Sequence, residues 1–199
     1  MEGGKKKPRP DPRARAGVGE GLREDLLRSR RVIRAAIRLL YGPQRWTRGA
    51  LARDSRGRDL LPDDEKAVRF CINGALLRAG ARIDKRPLEL KPGAKDGDIG
   101  AEDVSGSPSA MAAINLVGYV EARMLEAAGE GSWDGLRFST RRRRGQPSRR
   151  LSRARLLETL NDSPAFRQRT ALAILNKTER ALTRNLRMLP RTTPEAADG

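Results

Sequence analysis

The sequence comprises 199 residues, with 42 lysines and arginines against 25 aspartates and glutamates, for a net charge of +17 and a pI near 11.3. Hydrophobic residues amount to 37% and aromatic residues to 4%, which suits one domain with a modest aliphatic core. The absence of histidine and the single cysteine exclude Ser-His-Asp triads, histidine-ligated metal sites and an intramolecular disulfide.

Residues 1–20 are rich in glycine, proline and basic side chains, and they offer too little apolar surface to order, so we predict a disordered basic arm. The arm either contacts phosphates or is a solvated tail. We predict one helical domain over residues 21–189 and a disordered tail over residues 190–199. No apolar core follows the basic start and no segment reaches the ~20 apolar residues of a membrane span, so we expect a cytoplasmic protein.

Residues 22–41 have the apolar period of a packed helix, and Gly42-Pro43 ends it. Its apolar arc contains Leu22, Leu26, Val32, Ile33, Ala36, Ile37 and Leu40. The opposite side carries Arg23, Arg30, Arg31, Arg34 and Arg38. We interpret this side as a solvated face, with a helix lying on a membrane or on a nucleic acid backbone as the alternative.

The segment 46–80 begins with a turn-rich unit. Asp54 to Gly57 reads as a turn, and its short flanks predict a small β-hairpin. Pro62-Asp63-Asp64 predicts a helix start, and the helix should run over residues 64–79, with Gly80 as a left-handed C-cap. Its inward face would contain Ala67, Val68, Cys71, Ile72, Ala75, Leu76 and Ala79.

Two residues of that helix need an explanation of their own. Gly74 in a helix indicates the close approach of a neighbouring element, for which the Trp46 indole is a candidate. Cys71 on the apolar face is expected to be structural, because no histidine exists to activate its thiol.

Residues 81–106 form a polar loop with an acidic stretch, which we predict to be disordered and able to fold back on the basic surface. Ser107-Pro108 then starts a helix that runs to about residue 128. Its buried stripe is predicted to contain Ile114, Val117, Val120, Met124 and Ala128.

A second long loop, residues 129–148, leads into an arginine cluster. Nine arginines and no acid lie between positions 137 and 155. Aromatic rings beside arginines suit single-stranded nucleic acid, whose bases stack while guanidinium groups hold phosphates, although a solvated loop is the alternative. The predicted nucleic-acid-binding residues are Trp133, Arg137, Phe138, Arg141, Arg142, Arg143, Arg144, Arg149, Arg150 and Arg153.

The C-terminal part contains two helices, residues 151–160 and a last helix to about residue 188, joined by Asn161-Asp162-Ser163-Pro164. Asp162 is expected to cap the last helix. The pair is interpreted as a packed αα-hairpin, with a helix-turn-helix as the alternative. Inward residues are predicted to be Leu151, Ala154, Leu157 and Leu160, then Ala171, Leu175, Thr178, Ala181 and Leu182; the alternative would present Arg167, Gln168 and Arg169 to DNA.

Two patches resemble one family. The first runs from Trp46 through Cys71 to Leu76, and the second is Asn161-Asp162 followed by a helix with Leu175 and Ala181. Together they are similar to an uncharacterised bacterial and phage family numbered 6197 among domains of unknown function, over residues 31–79 and 151–182. The resemblance implies no activity. Its motif residues are Trp46, Gly49, Asp54, Gly57, Cys71, Gly74, Asn161 and Asp162.

The fold class predicted from these elements is all-α, a bundle of about five helices with a hairpin-like insert. The charge favours a protein that binds the phosphates of DNA or RNA with little sequence specificity. The alternative is a protein-interaction or adaptor module, whose acidic partner would use the same basic face. Asp54, Asp63, Asp64 and Asp162 are the carboxylates that could hold magnesium, but no base is paired with a nucleophile, so we predict no catalysis, metal or cofactor.

Overall fold

The computed structural model describes residues 12–94, 99–127, 153–164 and 166–189. Several predictions made from the sequence fall outside these residues. They concern residues 1–11 of the basic arm, the 129–148 loop with its arginines and aromatic rings, and the tail over 190–199.

Five α-helices account for most of the described residues, as predicted. They are α1 (Pro12–Leu40), α2 (Ile72–Asp84), α3 (Pro108–Ala127), α4 (Arg153–Asp162) and α5 (Gln168–Met188). The protein is mostly helical, but the all-α prediction is too simple because two small antiparallel sheets are also present. Helix α1 begins at Pro12 rather than at Leu22, where the apolar period starts.

The first sheet contains the predicted hairpin. Strands β1 (Ala52–Arg53) and β2 (Asp59–Leu60) pair antiparallel, and a third strand, β3 (Arg69–Phe70), pairs with the other edge of β1. Strand β3 lies where the sequence predicted the first turns of a helix. The prediction failed there because the N–H of Phe70 donates to the carbonyl of Arg45, and that of Val68 to the carbonyl of Arg53. An N–H held by strand pairing is not available to a helix.

Helix α2 therefore starts at Ile72 and not at Asp64. Its N-cap is Cys71, whose Sγ accepts the N–H of Gly74 at 3.2 Å, while Asp64 accepts the N–H of Lys66 in a separate turn. The predicted C-cap is also wrong: Gly80 lies inside the helix, and Lys85 takes the left-handed conformation at φ 53°.

Helix α2 is the central element of the core and packs on α1, α3 and α4. The predicted inward residues of segment 64–79 are buried apart from the half-buried Val68. Burial goes further than predicted, because every residue from Ile72 to Ala81 is buried, including Asn73 and Arg78, which the helical wheel placed outside. Gly80 lets α3 approach, since a Cβ there would lie 2.5 Å from the Cβ of Ala110.

The prediction of disorder for residues 81–106 is wrong wherever the structure describes them. Strands β4 (Glu89–Leu90) and β5 (Val104–Ser105) pair antiparallel, and a short 3₁₀-helix, Ala101–Asp103, precedes β5. Leu88, Ala101 and Val104 are buried, and this burial anchors the segment on the core.

Helix α3 begins as predicted, with Ser107 Oγ accepting the N–H of Ala110 at 3.1 Å. Ile114 and Val117 are buried as expected, and Val120 is half-buried. Helix α4 buries the predicted Ala154, Leu157 and Leu160, while Leu151 lies outside the described residues. Helix α5 buries its predicted face, with Ala181 half-buried. Among the helices described, none combines the length and the apolar character needed to cross a bilayer.

Candidate functional site

The two sequence patches that resemble a family meet in space at the C-terminal end of α4. The indole Nε1 of Trp46 donates to Oδ1 of Asn161 at 3.1 Å, and Asn161 Nδ2 donates to the carbonyl of Thr47 at 3.2 Å. The N–H of Gly49 donates to Oδ1 of Asp162 at 2.8 Å. Asn161 and Asp162 therefore hold the chain that leads into the hairpin. We call Trp46, Gly49, Asn161 and Asp162 the motif cluster.

The motif cluster is closed on one side by an arginine stacked on the indole. The guanidinium carbon of Arg48 lies 4.8 Å from the centroid of the Trp46 ring, within the range of a cation–π contact. Arg48 also donates to the carbonyl of Phe166 at 2.5 Å, and the Phe166 ring lies 6.4 Å from that of Trp46. These contacts fix the connection between α4 and α5 against the Trp46 segment.

The sequence predicted that Asp162 caps α5. That prediction is wrong, because the Asp162 carboxylate accepts the N–H of Gly49 instead. The N-cap position of α5 is Arg167, whose side chain makes no capping bond. Gln168 Nε2 instead donates to the carbonyls of Leu40 and Gly42 at 2.5 and 2.6 Å. The N-terminus of α5 is thus tied to the end of α1, which favours the packed αα-hairpin over a DNA-reading helix.

The remaining motif residues shape the hairpin and its junction with α2. Gly57 closes the turn at φ +89°, and Asp54 accepts the N–H groups of Arg56 and Arg58, both at 2.9 Å. The backbone N–H of Arg58 is the main reason that the pKa of Asp54 lies below its ordinary value, although burial opposes the shift. A Cβ on Gly74 would lie 1.8 Å from the carbonyl oxygen of Leu51, so the predicted close approach is real, but Leu51 makes it rather than Trp46.

The Cys71 thiol and the aspartates of this region accept hydrogen bonds from backbone N–H groups. Burial raises the pKa of the Cys71 thiol to about 12, against a smaller opposing effect of the Gly74 N–H, so the thiol stays protonated at neutral pH. The four aspartates considered for magnesium serve separate loops, with Asp63 accepting the N–H of Leu88 at 2.7 Å. Within the described ranges, no three histidine, cysteine, aspartate or glutamate residues gather in a group that could hold a metal ion.

Residues 26–181 match the model of a family described as a family of unknown function (DUF6197). The chain belongs to this family. No curated protein and no solved structure matches it. The DUF6197 match spans both patches of the motif cluster, and the structure shows why they lie far apart in sequence: each supplies one half of the same set of hydrogen bonds.

The DUF6197 chain also carries a basic groove that the sequence analysis did not single out. It runs between α1 and α5, has a volume of about 1060 Å³ and is lined on both walls by cations. We call it the α1–α5 groove. Glu179 is the one carboxylate among its described lining residues, and the six basic residues are Arg30, Arg34, Lys177, Arg180, Arg184 and Arg187.

The α5 wall could have been found from spacing alone. Its four basic residues follow one another at intervals of three, four and three, which places them on one face of a helix. All four are exposed. On α1, the basic side predicted as a solvated face supplies the other wall through Arg30 and Arg34.

The residues predicted to bind nucleic acid cannot be compared with this groove. Trp133, Phe138 and the arginines from position 137 to 150 lie outside the described residues, and Arg153 is known only as the first residue of α4. An apolar pocket of about 270 Å³ lies elsewhere, beside Gly49 and Leu51 of the hairpin unit and next to the partly exposed Leu90.

Proposed function

We propose that this DUF6197 protein binds the phosphates of nucleic acid with little sequence specificity. The observation that carries the proposal is the α1–α5 groove, where six basic side chains face one carboxylate. Together with the net charge of +17, this surface attracts a polyanion along its length.

The neutral polar groups of the groove support low specificity. Asn176 Nδ2 donates to the carbonyl of Leu172 at 2.8 Å, and Thr183 Oγ1 donates to the carbonyl of Glu179 at 2.9 Å. Both side chains are thus turned back on their own helix. Sequence is read by hydrogen bonds to base edges, whereas contacts between cations and phosphates carry no sequence information.

The test is fluorescence anisotropy with labelled oligonucleotides over a salt series, for the wild type and for a variant with Arg141 to Arg144 changed to alanine. We expect the logarithm of the binding constant to fall linearly with the logarithm of the salt concentration. A smaller slope in the variant would assign phosphate contacts to that cluster as well. Absence of wild-type binding near physiological salt would refute the proposal.

The second candidate is a protein-interaction or adaptor module. The observation in its favour is the apolar pocket beside the hairpin unit, which includes Leu60, Leu61 and the 41%-exposed Leu90. Partners that stay bound to the protein after nuclease treatment would support this candidate. Partners lost on nuclease treatment would support nucleic acid binding.

A further inference from the structure

The α1–α5 groove differs from a single-strand binding surface in what lines it. Proteins that hold single strands combine cations with aromatic rings on which bases stack. Among the described residues that line this groove none is aromatic. The groove therefore offers no surface for base stacking, and we expect its cations to bind mainly phosphates. Phosphate binding strengthens with the charge density of the ligand, which is higher for a duplex than for a single strand.

The wall on α5 has a length that suits several phosphates. From Lys177 to Arg187 the helix rises about 15 Å at 1.5 Å per residue. That length corresponds to roughly four nucleotides of one strand of a duplex, at 3.4 Å of axial rise each. Four exposed cations are thus spread over a length comparable to the axial rise of about four base pairs.

The wall on α1 is held in place by a half-buried carboxylate. Glu179 Oε1 accepts Nε of Arg30 and Nε of Arg34, each at 2.8 Å, and the Glu179 side chain is 16% exposed. Burial raises the pKa of Glu179, but the hydrogen bonds from Arg30, Thr183 and Arg34 outweigh it, so its pKa lies below the ordinary value. The carboxylate is therefore ionised at neutral pH and holds both guanidinium groups side by side.

Resting on the proposed function, we propose that the α1–α5 groove is the docking surface for the backbone of duplex DNA, with Glu179 as its positioning residue. Glu179 accepts hydrogen bonds from Nε of Arg30 and from Nε of Arg34, which leaves the Nη groups of each guanidinium to bind a phosphate. DNA is the duplex proposed because both neutral polar side chains of the described lining, Asn176 and Thr183, are bonded to their own helix, so the groove has no feature that selects for the 2′-hydroxyl of RNA.

The first experiment compares a groove variant with a charge-matched control. The groove variant is Arg184→Ala/Arg187→Ala, and the control is Arg45→Ala/Arg56→Ala, two exposed arginines outside the groove. With a labelled duplex of about 20 base pairs, the groove variant should lower the salt slope by roughly 2, and the control should keep the wild-type slope. Equal slopes in both variants, with wild-type binding intact, would overturn the groove assignment and leave the proposed function standing.

The second experiment separates positioning from charge. Glu179→Gln and Glu179→Ala remove the same negative charge, but glutamine keeps an acceptor for the two arginines. If Glu179 acts only through its negative charge, both variants should gain affinity equally. If Glu179 positions the two arginines, the alanine variant should bind duplex DNA at least about threefold more weakly than the glutamine variant. Equal affinities would refute the role of Glu179. Circular dichroism of both variants checks that each is folded.

The ligand arms of the same assay test the choice of duplex DNA. The wild type should bind duplex DNA more tightly than its single strand at equal salt, and an RNA duplex no more tightly than DNA. Tighter binding of the single strand that survives the groove variant would overturn the inference and move the site to the 129–148 loop. No binding of any nucleic acid would refute the proposed function together with this inference.

Discussion

At the scale of single residues, the Asn161 side chain joins parts of the chain that are distant in sequence. It is 1% exposed, its Oδ1 accepts from Trp46, and its Nδ2 donates to the Thr47 carbonyl. A longer bond of 3.4 Å from the Ile72 N–H reaches the same Oδ1 at the start of α2. One amide therefore satisfies groups from the Trp46 segment and from α2, and its loss would leave them buried without partners.

Asn161→Ala is expected to lower the free energy of unfolding by about 3 kcal/mol, because buried donors and an acceptor lose their partner. Urea denaturation followed by circular dichroism measures the change. The control Trp46→Phe keeps a ring but removes one donor, and it should cost about 1 kcal/mol. If the free energy of unfolding lost by the double variant equals the sum of the two separate losses, the Trp46–Asn161 hydrogen bond is not the cause of the destabilisation.

A second residue makes stability depend on pH. Glu121 is 1% exposed, and burial raises its pKa to about 7, although Lys177 on α5 acts in the opposite direction. One of its carboxyl oxygens, Oε2, has no hydrogen-bond partner among the residues that the structure describes. The folded state therefore favours the protonated carboxyl, whereas in the unfolded chain the same carboxyl loses its proton at a lower pH.

The sign of this effect follows from linkage. A carboxyl whose folded pKa is raised costs no stability below its unfolded pKa, near 4.5, and costs progressively more as the pH rises toward about 7. The stability of Glu121→Gln relative to the wild type should therefore increase by about 3 kcal/mol as the pH rises through this range. Urea midpoints of both proteins across this range measure the gain, and parallel curves would contradict it.

At the scale of elements, α2 shows what could and could not be predicted from the sequence. The burial of Cys71, Ile72 and Leu76 followed from the 3.6-residue period, since apolar spacing reports directly on a packed face. The helix start could not be predicted, because the N–H groups of Val68 and Phe70 are taken by residues of another segment. Long-range pairing of this kind leaves no local signature.

The contacts of the hairpin, the motif cluster and the α1–α5 groove could likewise be predicted only in part. The turn at Gly57 and the close approach at Gly74 were predictable, because few other requirements explain a glycine in a turn or inside a helix. The partner of Gly74, the Leu51 carbonyl, was not, and neither was the contact of Asp162 with Gly49. The α1–α5 groove is formed by two helices that are far apart in sequence. The spacing of basic residues on α5 predicts one wall, but only tertiary packing brings the α1 wall beside it.

Glycine-to-alanine substitutions test the packing of the helices. Gly74→Ala should lower the free energy of unfolding by at least about 3 kcal/mol, because the new methyl group would overlap the Leu51 carbonyl and overpacking displaces backbone. The control Gly21→Ala, in α1 with no atom within 4 Å of the added carbon, should stabilise the protein by up to about 1 kcal/mol. Both values come from urea denaturation, and a tolerated Gly74→Ala would contradict the described contact between α2 and the hairpin unit.

At the scale of the whole molecule, the α1–α5 groove and the core occupy separate parts of the described residues. The motif cluster holds the buried Asn161 amide in fixed hydrogen bonds, whereas cations gather along α5 and the facing side of α1. Substitutions in the motif cluster are therefore expected to change stability, and those in the α1–α5 groove to change affinity. The two classes of variant can be told apart by measuring both quantities.

The most direct test of this account is the affinity of the wild type for two duplexes of unrelated sequence, measured by anisotropy over the same salt series. We predict two coincident lines, each with a slope of roughly −5 if about six phosphates are contacted. Such lines would establish phosphate binding without sequence specificity. Lines that do not depend on salt, a preference for one sequence that persists at every salt concentration, or no binding near physiological salt would contradict the account.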